Sequence, residues 1–348
     1  MKSSTAPAGR IWDIDALRAV AMLLVIVTHV YSYNLGSAAR NAVWNYLHFV
    51  VPVLIYCSGY VLYLKYKDTR WTIPGIVRWW KKRAMRLALP YYIFFVLHYL
   101  LWLLFPAYFS VFAMQKTFSY VGASLLFIGI DYGWLPLLFL ELMMLSPLLL
   151  TLMRSKEGAI ALWGISLGSA MLFFFRQPHT DYRLIMWLPW SAIMLLSFWY
   201  ARAAAKLPPR RRLVLSLLAA FICFLLFDAG AWIATAWHRD LTLTLHKYPP
   251  DIWYLTYGTG IGALLLAATQ IRIPYPWITQ AVTWISAKSY ELFFVHYIVV
   301  DVFRTYQHVH MLSLSLSAQL SIALCGSIAI VLFYDLGFRH IRRYFSGK

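Results

Sequence analysis

The chain has 348 residues, 61% of them hydrophobic, and a mean hydropathy of +0.64, which excludes a soluble domain of this length. Its formal net charge of +18 comes from 31 lysines and arginines against 13 acidic residues. Charge of that sign suits nucleic acid or an anionic membrane surface, so the placement of the cations along the chain has to decide between them.

Apolar runs long enough to cross a bilayer recur throughout, the signature of a polytopic helical membrane protein. Ten spans are expected, at roughly 14–34, 46–64, 87–105, 134–153, 158–175, 184–204, 213–236, 251–270, 288–307 and 314–338. The predicted class is therefore all-α, a single transmembrane domain over 1–348. Short tails at 1–13 and 339–348 flank it, and no inter-span segment is large enough to bury a core of its own. The first run lacks a small-residue cleavage site and is expected to remain as a span. The stretch 117–131 is short and runs into Asp131-Tyr132-Gly133, so it is expected to be interfacial or re-entrant.

With a cytoplasmic N-terminus, only Arg40, Lys116, Arg176, Arg183, Arg239, Lys247 and Arg304 of the 31 cations fall on the outer side. That bias follows the positive-inside rule and predicts that both termini are cytoplasmic. Making 117–131 a span would invert every later loop and destroy the alternation. The basic balance thus sets topology, membrane lipids are the expected contacts, and no nucleic-acid partner is expected. Cys57, Cys223 and Cys325 lie within spans at spacings that fit neither a disulfide framework nor a metal site.

In the first span Arg18 and His29 are eleven residues apart, about 16 Å of rise and roughly 1100° of rotation on an α-helix. Both project from one face, with His29 well inside the membrane. An ionisable group at that depth usually faces a cavity or a polar partner and marks function, although a histidine bonded to a neighbouring helix as packing glue remains the alternative. Asp15 pairs with Arg18 or sits at the helix start.

The stretch KKRAMRLALPYY (81–92) places Arg83 and Arg86 on neighbouring positions of one helix face. Guanidinium forks suit phosphate oxygens, and a phosphorylated cytoplasmic ligand could dock here; anchoring against lipid headgroups is the other reading. Glu141 and Trp134, two turns apart, share a face of the fourth span. Glu291 and His296 are five residues apart in the ninth, roughly 500° of rotation, so they do not share a face and each looks to a neighbouring helix. In KYPPDIWYLTYG (247–258) Asp251 follows two prolines, which suits a helix cap or, with Trp253, Tyr254 and Tyr257, a sugar-binding rim. No two histidines or carboxylates have ligand spacing on one helix, and no metal is expected.

These segments resemble the acyltransferase family 3 membrane proteins, bacterial enzymes that acylate surface polysaccharides and related glycans. The likeness runs in order through IDALRAVAMLLVIVTHV with its Arg-x10-His, VPVLIYCSGYVL, Arg83-x-x-Arg86 leading to Pro90-Tyr91, GWLPLLFLELMMLSP, YPPDIWY and SYELFFVH. The resemblance implies an acyl-CoA donor, most often acetyl-CoA, and a glycan or lipid-linked glycan acceptor at a bacterial inner membrane. It assigns His29, Arg18 and, more weakly, Glu291 to catalysis, and Arg83 and Arg86 to donor handling. Glu141, Trp134, Asp251, Trp253 and His296 are the expected acceptor contacts. Some members carry an extracytoplasmic hydrolase-like domain; none is expected here, so direct acylation, a homo-oligomer or hand-over to a separate extracytoplasmic protein is the expectation. A polysaccharide or glycolipid exporter, and a non-catalytic scaffold of a glycan-synthesis complex, are the rival readings.

Overall fold

A computed structural model describes residues 11–106, 118–128, 133–178, 182–204, 206–270 and 275–346. It is 84% helical, without strands among the described residues. The helices are α1 (Trp12–Ser32), α2 (Ala38–Tyr46), α3 (Val50–Tyr66), α4 (Ile73–Leu104), α5 (Phe118–Leu125), α6 (Trp134–Leu152), α7 (Lys156–Phe175) and α8 (Tyr182–Ile185). There follow α9 (Trp187–Ala204), α10 (Pro209–Ala236), α11 (Ile252–Ala268), α12 (Pro276–Ala287), α13 (Ser289–Val309) and α14 (Leu316–Ser346).

The helix starts carry the chemistry that satisfies orphan backbone donors. Ser37 accepts from the Arg40 amide, Thr72 from Gly75, Ser155 from Gly158 and Asp251 from Tyr254. Pro209 opens α10, where the missing amide costs nothing. Segment 65–86, expected as an inter-span loop, is mostly helix, because the Thr72 cap and Pro74 start α4 before the arginine pair. The basic residues then continue unbroken into the apolar run, and α4 reaches 32 residues.

Eight helices, the pair 38–66 counted as one, are long and apolar enough to cross a membrane. Two of the ten expected spans fall short of that measure for visible reasons: α11 has 17 residues, and α13 carries Glu291, Asp301 and Arg304 along its length. Within 117–131, α5 has eight residues, too short to cross, and 129–131 lie outside the described residues, as does most of the outer segment 106–133.

The first helix is the hub. Leu17, Ala21, Met22, Val25, Ile26 and Val30 are all buried, and α3, α12, α13 and α14 pack around it. Its most apolar window is 56% buried, against 11% for α10, whose Phe221, Leu225 and Trp232 face outward as on a helix solvated by lipid. Small residues allow close approach where helices cross. Gly59 of α3 lies against Ser197 and Met194 of α9, and Trp253 of α11 lies over Gly230 of α10, where an added methyl would meet the indole at 2.7 Å. Near its start α1 meets α12, where Asp15 accepts from Ser286 Oγ at 2.5 Å, and fourteen residues further along α1 His29 meets Tyr297 of α13.

Candidate active site

Within the bundle His29 is half-buried. Its Nε2 lies 2.9 Å from the Tyr297 hydroxyl. The ring centroids of Tyr297 and His296 are 4.7 and 5.1 Å away. His296 is fully buried; its Nδ1 donates to the Leu292 carbonyl at 3.1 Å, and its Nε2 is buried without a partner among the described residues. Glu291, 140° round α13 from His296, is not brought to His29. It pairs with Lys288 at 3.5 Å, and Lys288 also holds Asp335 of α14 at 2.8 Å. Helix rotation turns Glu291, the weaker of the expected catalytic residues, toward Lys288 and the α14 contact at the Arg18 end.

Arg18, three turns from His29 on the same face of α1, donates to the Cys57 carbonyl of α3 at 3.2 Å. Arg83 lies with its guanidinium 4.0 Å from the centroid of Trp79 and 5.9 Å from that of Tyr66. Its Nε is buried without a partner among the described residues, while Arg86 is exposed. The arginine pair is therefore asymmetric, one member stacked in an aromatic box with Trp71 beside it and the other in solvent.

The YPPDIWY segment works differently from the sugar rim that its composition suggests. Asp251 is fully buried and committed twice: Oδ1 accepts from the Tyr254 amide at 3.0 Å, and Oδ2 is bonded to His246 Nδ1. Trp253 stacks on Phe227 at 4.9 Å and donates its indole N–H to the Phe227 carbonyl. Tyr254 donates to the His48 carbonyl at 2.7 Å and Tyr257 to Tyr46 at 2.5 Å. Of the two readings open for this segment, the contacts favour the cap for Asp251 and make Trp253 a packing contact, with their side-chain polar atoms bonded inside the fold.

Trp134 belongs to an aromatic cluster. Its ring stands edge-on to Tyr248 at 4.9 Å, and Tyr182 lies 5.7 Å from Tyr248. Lys247 sits among these rings, 6% exposed, with Nζ 4.8 Å from the Trp134 centroid and 5.0 Å from that of Tyr248. Burial pushes this amine down to about 7, well below the usual lysine value. Its charge acts on both His29 and His48. Glu141, further along α6, has a buried Oε2 without a partner among the described residues.

Sequence reasoning missed Tyr297, Lys247 and His48. Tyr297 was the neighbour of a residue already singled out, and Lys247 stood just before the prolines, visible only as an outer charge. His48 gave no signal: its Nδ1 donates to the Trp44 carbonyl at 2.8 Å, a contact made by a short 3-10 turn that apolar patterning does not reveal. Another missed pair, His98 and Asp301, joins α4 to α13 at 2.9 Å with both side chains fully buried.

Among the described residues, no group of three or more histidine, cysteine or acidic side chains is arranged to hold a metal. The central constellation is instead an imidazole held by a phenol, which is suited to moving a proton. No curated protein and no solved structure matches the chain. The family model described as an acyltransferase domain matches residues 11–335. With an interior histidine on the central helix of an all-helical, multi-pass bundle, the chain belongs to this family of membrane acyltransferases.

Proposed function

We propose that the protein transfers acetyl from acetyl-CoA to a hydroxyl of a surface glycan or its lipid-linked precursor in a bacterial inner membrane. The observation that carries this reading is the setting of His29: half-buried inside the bundle, bonded through Nε2 to Tyr297, and with no hydrogen bond at Nδ1 among the described residues. When Nε2–H donates to the Tyr297 oxygen, the lone pair of Nδ1 is left to face a substrate. His29 then takes the acceptor hydroxyl proton as that oxygen attacks the thioester carbonyl. The carbon–sulfur bond breaks, and the leaving thiolate receives the proton as free CoA.

The donor enters from the end of α1 that bears Arg18. Arg83 and Arg86 hold its phosphates, and the pantetheine arm runs up the face between Arg18 and His29, about 16 Å of helix rise. The Trp79–Tyr66 box that stacks Arg83 also fixes its guanidinium plane. Trp134, with the carboxyl of Glu141 deeper on α6, lines the acceptor approach.

Purified protein incubated with labelled acetyl-CoA tests the reading. Release of CoA together with labelling of a glycan acceptor is expected, whereas an exporter or a scaffold would leave the thioester intact. Tyr297→Phe is expected to lower kcat by roughly 10- to 100-fold with little change in the donor KM, because it removes the group that orients the imidazole and leaves the binding surface. Equal kcat in the variant would show that Tyr297 only packs. Arg83→Ala with Arg86→Ala is expected to raise the donor KM by roughly tenfold or more with a smaller effect on kcat. Unchanged donor kinetics would reduce the pair to a topological anchor.

A further inference from the structure

Lys247 carries a charge that no acidic side chain among the described residues answers. Its side chain is 94% enclosed, yet among the described residues no carboxylate pairs with it. The nearest acid in sequence, Asp251, is consumed by His246 and the Tyr254 amide. Aromatic faces offer the ammonium partial compensation on two sides. A buried cation without a counter-ion is unfavourable, and here burial has pulled its pKa to about 7. Lys247 is among the groups whose charge acts on His29. The rings around it have flat apolar faces of the kind on which a pyranose stacks through its C–H groups.

Resting on the acyl-transfer reading, we propose that the acceptor is an anionic saccharide, and that Lys247 holds a carboxylate or phosphate oxygen of the sugar while Trp134 and Tyr248 stack on its ring. The anion supplies the missing counter-charge. Docking it on Lys247 sets the register of the sugar, so that one hydroxyl faces His29 and the others do not. The charge comes from the acceptor and not from CoA, because the phosphates of the donor are held at the opposite end of α1. Lys247 is thereby a specificity-determining residue.

Binding of four probes to the full chain in nanodiscs tests this: methyl glucuronide, its uncharged methyl ester, methyl glucoside and glucose 1-phosphate. Glucuronide or glucose 1-phosphate is expected to bind wild-type protein roughly tenfold or more tightly than the ester and the glucoside. Whichever of the two does so identifies the source of the anion. Lys247→Met is expected to abolish the preference and Lys247→Arg to keep most of it, with CoA binding as the folding control. Equal binding of charged and uncharged probes to wild type overturns the proposal without any variant, as does a preference that survives in a folded Lys247→Met protein. A variant with reduced thioester turnover and an intact preference also overturns it, and would place the amine on the acyl oxyanion. Absence of thioester turnover in wild type is a different failure, that of the acyl-transfer reading, and is measured without any saccharide.

Discussion

Replacing His29 with alanine is expected to lower acyl transfer by roughly 10²- to 10⁴-fold, the range typical of a lost general base. Expression and folding should survive. The ring is only half-buried, and its one hydrogen bond is worth about 1 kcal/mol between helices of a bundle. His296, at 5.1 Å between ring centroids, is not expected to replace it. Its Nδ1 is tied to the Leu292 carbonyl and its Nε2 is enclosed, so neither nitrogen can reach an incoming hydroxyl without reorganising α13. His296→Ala is therefore expected to be milder than His29→Ala. The check is single-turnover transfer from labelled acetyl-CoA by variants that elute and bind CoA like wild type. A His29→Ala protein within tenfold of wild type would end the assignment, and a larger loss in His296→Ala would move the base to the other ring.

The largest stability effect is expected at the His98–Asp301 pair. Both side chains are fully buried, and the 2.9 Å contact joins α4, otherwise among the less buried helices, to α13, which carries the Tyr297 and His296 side of the site. Interhelical hydrogen bonds in membrane bundles average about 0.6 kcal/mol. Removing one member of this pair should cost more, about 3–5 kcal/mol, because the survivor is an ionisable group sealed from water. Asp301→Ala and His98→Ala should each lower the thermal midpoint in detergent strongly. The double variant His98→Leu with Asp301→Leu should be less damaging than Asp301→Ala alone, since neither ionisable member of the pair remains in the apolar interior. A double-mutant cycle measures the coupling, and additivity within about 0.5 kcal/mol would show that the two side chains act independently. Asp301 lies one turn beyond Tyr297 on α13, so loss of the pair should also lower kcat at temperatures where the protein remains folded.

Local chemistry made some of the molecule readable in advance. Apolar runs mark the helices because each one must satisfy its own backbone in lipid, whatever its neighbours do. Arg18 and His29 share a face because both lie on one helix, and helical geometry needs no knowledge of the rest of the chain. The same limit explains what failed. Asp251 and Trp253 have a composition that suits either a rim or a cap, and only the positions of His246 and Phe227 decide. Glu291 could be assigned a face of α13 but not the helix that face would meet, which proved to be α14 through Lys288 and Asp335.

From the sequence alone come the all-helical, multi-pass class, the central histidine with its arginine three turns away, and the family to which both point. Tertiary structure alone decided that Tyr297 holds that histidine, that the arginine pair is split between an aromatic box and an exposed position, and that Lys247 is sealed among aromatic rings with no carboxylate paired to it among the described residues. The physical reason is one of range. Periodicity and hydropathy act within a few turns, whereas these contacts join residues as much as 268 positions apart, and their energies exist only once the helices have packed.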